Sequence, residues 1–391
     1  MARYLEPYIF EFLKEKMVLL GGPRQVGKTT LALHFLESNA TKYPEHLYDV
    51  NATKYNETHP GYLNWDNPII PPQLTKAQLP PGQPLLVLDE IHKYLKWRNL
   101  IKGLYDTNKS KVKFLVTGSA RLDYYRKGGD SLQGRYYYLR LHPFSLREYN
   151  PNPTNEDFKR LLQFGGFPEP LFKANEDHHR LWERQRLSRV IRDDLRDLER
   201  VKDISLIEIL VDLLPSKVSS PLSIKSIRED LSVDHKTVER WLQILENLYI
   251  CFRIPPYGAP KIRAVKKEQK LYLWDWSVIE SIGARFENLV ACQLLKYCHF
   301  LEDTKGHIME LRYIRDTDKR EIDFVVIKDR VPLFAVECKT GEKAVGSSLH
   351  YFSERTKIPT FYQVHMGSNQ FDSGKIKVRN FLQFCKELSL P

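Results

Sequence analysis

Long apolar runs, paired cysteines and internal repeats are all missing from this chain of 391 residues, and each absence removes a class of protein. No stretch approaches the ~18 consecutive apolar residues that read as a membrane-spanning helix. Residues 1–16 carry charges every few positions and lack the apolar centre of a secretory signal. The expectation is a cytoplasmic protein with no membrane partner. Cysteines are few: Cys251, Cys292, Cys298, Cys338 and Cys385 are odd in number and form no Cys-x-x-Cys pair. That pattern speaks against a disulfide framework and against structural zinc, and for buried thiols in a reducing compartment. Histidines give no metal-ligand spacing either, since His178 and His179 are adjacent while His92, His299, His307 and His365 stand alone.

What is present suits folded domains. Hydrophobic residues make up 42% of the chain and aromatics 12%, enough for globular cores, and the length predicts two or three of them. Lys and Arg number 60 against 49 Asp and Glu, a net charge of +11, which favours negatively charged partners, DNA foremost. A solvated surface is the other reading of the local basic clusters, Lys261 to Lys267 and Lys375-Ile-Lys377-Val-Arg379.

The densest chemical signal is Gly22-Pro23-Arg24-Gln25-Val26-Gly27-Lys28-Thr29-Thr30, set directly after the apolar run Met17-Val-Leu-Leu20. Strand, glycine-rich loop and helix in that order form a P-loop: backbone N–H groups turn inward around phosphates, and the helix N-terminus adds its positive end. Lys28 is expected to reach the β- and γ-phosphates and Thr29 to hold Mg²⁺. A second apolar run, Leu85-Leu-Val-Leu88, ends in Asp89-Glu90. It predicts a buried parallel strand with acid at its C-terminal tip, where ligands of open α/β sheets bind. Asp89 is then placed for Mg²⁺ and Glu90 for polarising the attacking water. A third strand, residues 112–117, brings Thr117 and Ser119 to the same edge, as partners of the γ-phosphate or water or merely of local backbone groups.

These motifs, with Thr117-Gly-Ser-Ala-Arg121, Leu132-Gln-Gly134-Arg135, His142-Pro-Phe-Ser-Leu-Arg-Glu148 and Gly165-Gly-Phe-Pro168, resemble those of prokaryotic AAA+ ATPases that carry a C-terminal DUF4143 domain. The resemblance spans the chain and keeps the motif order. It implies an α/β fold: an AAA+ P-loop core over residues 1–150, a helical and winged-helix lid over 151–275, and a restriction-endonuclease-like domain over 276–391. It also implies ATP as the nucleotide, Thr117 or Ser119 as the sensor of the third strand, and Gly166-Phe167-Pro168 where the lid touches nucleotide. Arg135 resembles the family's box arginine and is the first candidate for an arginine finger, with Arg121 second. An arginine anchoring an acidic neighbour is the plain alternative. A finger supplied by a neighbouring subunit would make the protein a homo-oligomer.

In the middle region, residues 187–200 interleave charges of both signs with leucine and valine at helical spacing, as a bridging or lid helix does. Two short helices follow, over 223–231 and 235–247, with Val238, Trp241, Leu242, Leu245 and Leu248 on one face of the second. A strand over 248–254 completes a winged helix-turn-helix outline. Its exposed face, with His235, Lys236, Glu239, Arg240, Gln243 and Glu246, is mixed in charge, so DNA reading and a purely structural role both stand.

The last third reads as a helix, residues 284–296, and three strands, 308–314, 321–327 and 332–339. Alternation puts Glu337 and Lys339 on one strand face, and Asp323 belongs on the neighbouring strand. This resembles the Asp…Glu-x-Lys signature of the nuclease superfamily, with Ile322 where a proline often stands. A second divalent metal on Asp323 and Glu337, with Lys339 orienting water and Glu287 adding a ligand, is the enzymatic expectation. The other reading is a catalytically inert domain in a nucleotide-dependent switch that engages a protein partner.

Overall fold

The described strands form three sheets, of five, six and two strands. In the computed structural model residues 3–37, 57–118, 122, 132–194, 203–258 and 268–391 are described. The chain divides into two bodies: Met1–Pro143, Leu181–Val201 and Asn247–Tyr249 make one, and Phe144–Arg180, Lys202–Glu246 and Ile250–Pro391 the other. Among the described residues no helix is long and apolar enough to cross a membrane.

In the first body, β1 (Met17–Gly21), β2 (Tyr62–Asn64), β3 (Leu85–Asp89), β4 (Lys113–Gly118) and β5 (Tyr136–Arg140) make one sheet in the order β2-β3-β4-β1-β5. All four pairings are parallel. Sheets of this kind are covered on both faces, which is why β1 and β3 are apolar throughout and buried at every position. Helix Trp97–Asn108 turns Trp97, Ile101, Leu104 and Tyr105 into the core that contains Leu86, Leu88, Phe114 and Val116. This i, i+4, i+7, i+8 spacing is one apolar stripe of a helix. Because β4 lies between β1 and β3, the three chemically marked strand ends emerge side by side at one edge.

The second body holds a six-stranded mixed sheet, ordered β12-β13-β11-β10-β9-β8. Its strands are β8 (Met309–Arg315), β9 (Glu321–Lys328), β10 (Val331–Lys339), β11 (Phe361–His365), β12 (Phe371–Ser373) and β13 (Ile376–Asn380). The 24-residue helix Ile282–Lys305 packs on this sheet and stops at Gly306, whose φ of 71° is the left-handed conformation favoured by glycine at helix ends. Helices Ile224–Leu231 and His235–Asn247 are started by side-chain caps from Ser223 and Asp234, and a short antiparallel ribbon, β6 (Cys251–Ile254) with β7 (Lys270–Leu273), follows them. Val238, Trp241, Leu242, Leu245 and Leu248 are all buried, as the spacing requires. The α/β class with a parallel P-loop core and a C-terminal mixed-sheet domain is thus the fold.

In the bridging segment Glu176–Arg189 is α-helical and Val190–Asp194 π-helical. Residues 195–200 lie outside the described residues, as do Ser119, Arg121 and the cluster 261–267. In the second basic cluster, Arg379 is drawn into ion pairs with Asp372 (2.6 Å) and Glu387 (2.5 Å) rather than lying on an exposed face.

Candidate functional site

The P-loop takes its shape from two glycines and one left-handed residue. At Gly22 (φ 151°) an added Cβ would come within 2.4 Å of the Leu141 carbonyl, so no other residue fits there. Gly27 (φ 96°) and Gln25 (φ 63°) also have positive φ, which curls the loop. Arg3 is buried and donates from Nη1 to the Val26 carbonyl at 2.9 Å, tying the outside of the loop to the amino-terminal segment. Lys28 opens helix Lys28–Glu37 and donates to the carbonyls of Gly22 (2.9 Å) and Pro23 (2.7 Å), folding its ammonium back over the loop.

Asp89 at the tip of β3 organises the neighbouring oxygens. Its Oδ2 accepts from Thr29 Oγ1 at 2.9 Å and from the Tyr62 hydroxyl at 2.7 Å, and its Oδ1 accepts from Thr117 Oγ1. Burial first, then the charge of Asp89, pushes the Tyr62 phenol well above its ordinary range, so it stays a donor to that carboxylate. One carboxylate and three hydroxyls are the hard oxygen donors that Mg²⁺ prefers, and their convergence fits the ion expected on Thr29 and Asp89.

Glu90 follows with φ 55°, a left-handed residue that ends the strand abruptly. Its Oε2 lies 3.6 Å from Nε2 of His92. Burial, followed by the nearby Lys93, Lys28 and Arg24 charges, depresses that imidazole to about 3, so it is neutral at physiological pH and does not neutralise Glu90.

A cavity of about 1060 Å³ opens over this edge, lined by Thr29, Thr30, Asp89 and Glu90 together with Arg24 and Gln25. The Gln25 Oε1 atom is buried with no hydrogen-bond partner among the described residues. Tyr62, Asn64 and Arg189 also line the cavity, and sequence reasoning missed all three. Tyr62 and Asn64 sit on a three-residue strand without a motif, whereas Arg189 ends the charge-laced helix already singled out.

Arg135 makes a two-pronged pair with Asp106, Nε to Oδ1 at 2.8 Å and Nη2 to Oδ2 at 3.1 Å, and is not among the residues lining the cavity. Phe167 is fully buried in the second body, where the Gly166 carbonyl accepts from the Phe144 N–H at 2.7 Å and Pro168 opens a short helix.

In the C-terminal sheet Glu337 and Lys339 do share a face of β10 and pair at 2.5 Å. Asp323 is next to them on β9, with Oδ2 accepting from the Cys338 N–H at 2.8 Å. Glu287 approaches from the helix, and its carboxyl is pushed up to about 8 by burial first and the Asp323 charge second, against the pull of Lys270. The centre of this cluster is taken by Lys270, whose Nζ is 3.4 Å from Glu287 and 3.5 Å from Asp323 and also pairs with Glu321. Among the described residues no group of three or more His, Cys, Asp or Glu is arranged to hold a metal ion. The expectation of a second divalent ion on Asp323 and Glu337 therefore finds no support, because a fixed ammonium stands among the carboxylates.

Comparison with known proteins agrees with the architecture. Residues 14–150 match the family described as AAA domain (AAA_14), residues 155–287 match Domain of unknown function DUF8612, and residues 282–384 match Domain of unknown function DUF4143. An uncharacterized protein of Methanocaldococcus jannaschii is 25% identical over 388 residues, covering 85% of this chain and 77% of that one. An uncharacterized protein of Mycobacterium tuberculosis is 22% identical over 268 residues, covering 68% of this chain, which spans little more than half (56%) of that relative's length. Among solved structures, the Aeropyrum pernix ORC1 protein in complex with DNA aligns with a TM-score of 0.28 at 14% identity, covering 74% of this chain and 93% of that one. Bacteroides Pif1 bound to ssDNA aligns at 0.21 and 12% identity, covering 93% and 86%. At these scores neither likeness carries an argument about function.

Proposed function

We propose that this chain, an AAA-type ATPase ending in a DUF4143 domain, binds ATP with Mg²⁺ at the cavity beside the P-loop and the tip of β3 and couples its hydrolysis to nucleic-acid binding. The observation that carries the reading is Asp89, a strand-tip carboxylate gripped by Thr29, Thr117 and Tyr62 directly beside a P-loop lysine. Lys28 exchanges its two carbonyl partners for phosphate oxygens, and Gln25 and the loop N–H groups complete the cradle. Thr29 and Asp89 would hold the ion, which supplies charge neutralisation at the transferring phosphoryl group. Glu90, beside a neutral His92, orients and accepts a proton from the attacking water, while Thr117 keeps Asp89 aimed. Arg24 and Arg189, at the cavity wall, answer phosphate charge. Arg135 is a finger only for a neighbouring copy of a homo-oligomer, and its pair with Asp106 must then open.

The net charge of +11 supports a nucleic-acid partner, DNA first, for the coupled step. A protein partner is the second reading, favoured by one feature of the winged-helix region: its exposed face mixes Glu239 and Glu246, both paired with Arg253 at 2.8 and 3.0 Å, with Lys236 and Arg240, and so is not a basic stripe. ATP hydrolysis by the purified protein, with and without double-stranded, single-stranded and branched DNA, tests both. Stimulation by one DNA form that disappears in Lys28→Ala and Glu90→Gln supports coupling to nucleic acid. Turnover blind to every DNA favours the protein partner, and no turnover at all removes the hydrolytic reading.

A further inference from the structure

We propose that Lys270 is a resident cation in the C-terminal domain, standing where the clustered carboxylates would otherwise gather a divalent metal. The domain consequently binds no such ion and does not cleave phosphodiesters. The inference concerns the second body and does not rest on the ATPase reading.

Three elements converge to make the cluster. Strand β7 supplies Lys270, the helix Ile282–Lys305 supplies Glu287, and β9 supplies Glu321 and Asp323. The lysine did not arrive there by side-chain wandering. Asn288, next to Glu287, bonds both backbone groups of Leu273, accepting from its N–H at 2.8 Å and donating to its carbonyl at 2.7 Å, which clamps β7 to the helix. Lys270 is fully buried, its Nζ also lies 5.5 Å from the centre of the Tyr313 ring, and the Tyr272 hydroxyl donates to Glu287 at 2.7 Å.

Each carboxylate of the cluster has a cation beside it. Lys270 faces Glu287, Glu321 and Asp323, Arg315 takes the other oxygen of Glu321 at 2.7 Å, and Lys339 takes Glu337. Burial disfavours the charge on Lys270, yet Glu287, Asp323 and Glu321 more than reverse this and hold it charged. Four carboxylates thus meet three cations, and the ammonium of Lys270 fills the place among Glu287, Glu321 and Asp323 that a divalent ion would need.

Mn²⁺ binding by the nucleotide-free full chain, read by electron paramagnetic resonance, tests the assignment. An Asp89→Asn background removes any contribution from the P-loop. With Lys270 intact, no Mn²⁺ site is expected up to about 1 mM, the weak end of protein affinities for such ions. Lys270→Met is expected to gain one Mn²⁺ site at least about 100-fold tighter, lost again on adding Asp323→Asn. A tight Mn²⁺ site with Lys270 intact that Asp323→Asn abolishes overturns the proposal. So does a folded Lys270→Met protein, checked by circular dichroism, that binds no Mn²⁺. If Lys270→Met does not fold, recovery of its helical signal on adding Mn²⁺ supports the assignment, and the measurement with Lys270 intact decides it otherwise.

Discussion

The acid at the tip of β3 and the acids clustered around β9 in the C-terminal domain differ in what holds them. Asp89 is gripped by three neutral hydroxyls, from Thr29, Tyr62 and Thr117. Glu287, Glu321, Asp323 and Glu337 are gripped by Lys270, Arg315 and Lys339. Hydroxyl donors aim a carboxylate while leaving its charge intact, whereas ammonium and guanidinium groups cancel it. The identity of the neighbours, more than the presence of acids, decides whether a site awaits a cation or already contains one.

The sharpest way to test the first half of this contrast is to remove charge from the P-loop side. Lys28→Ala and Glu90→Gln are each expected to lower ATP turnover by about 10²–10⁴, the range for losing a positioned charge or base, with ATP binding retained in Glu90→Gln. Steady-state hydrolysis alongside fluorescent-nucleotide binding reads both, and unchanged turnover in either variant breaks the assignment. On the other side, Lys270→Met leaves buried anions without their partner and is expected to cost about 3–5 kcal/mol in urea unfolding. A loss under about 1 kcal/mol would mean that the ammonium is not what balances the acids.

A smaller effect concerns His92. Its folded pKa is depressed to about 3, so between that value and the ordinary imidazole range the unfolded chain binds a proton that the folded chain does not. Stability is expected to fall as pH drops below about 6.5 and to fall less in His92→Leu, as read by thermal unfolding at stepped pH. An unaltered acid profile would show that this imidazole protonates without unfolding. The smallest effect is expected at Arg135, which is engaged by Asp106 of its own chain. Arg135→Ala should change turnover less than about two-fold, whereas a fall of about 10³ or more would mark it as a finger acting on a neighbouring copy.

Much of the fold was legible because its signals are local. Four consecutive apolar residues before Asp89 could only be a buried strand tip, and the stripe from Val238 to Leu248 could only face a core. The ends of the P-loop site were equally readable, but its walls were not. Tyr62 reaches Asp89 from a strand 27 residues away in sequence, and no pattern around it distinguishes it from the other tyrosines. Lys270 illustrates the limit most clearly. It lies 17 residues before Glu287, and one lysine among 60 basic residues gives no sign that folding will set it amid three acids. The Glu-x-Lys triplet at Glu337 and Lys339 announced a cluster of charges but not the sign of its centre.

The buried quartet of Lys270 with Glu287, Glu321 and Asp323 also has a hereditary consequence. Any single change at one member strands charge on the others, while paired changes that remove a cation and an anion together are expected to be far milder. These four positions should therefore drift as a linked set, so a descendant that loses the lysine must first shed an acid or acquire a metal.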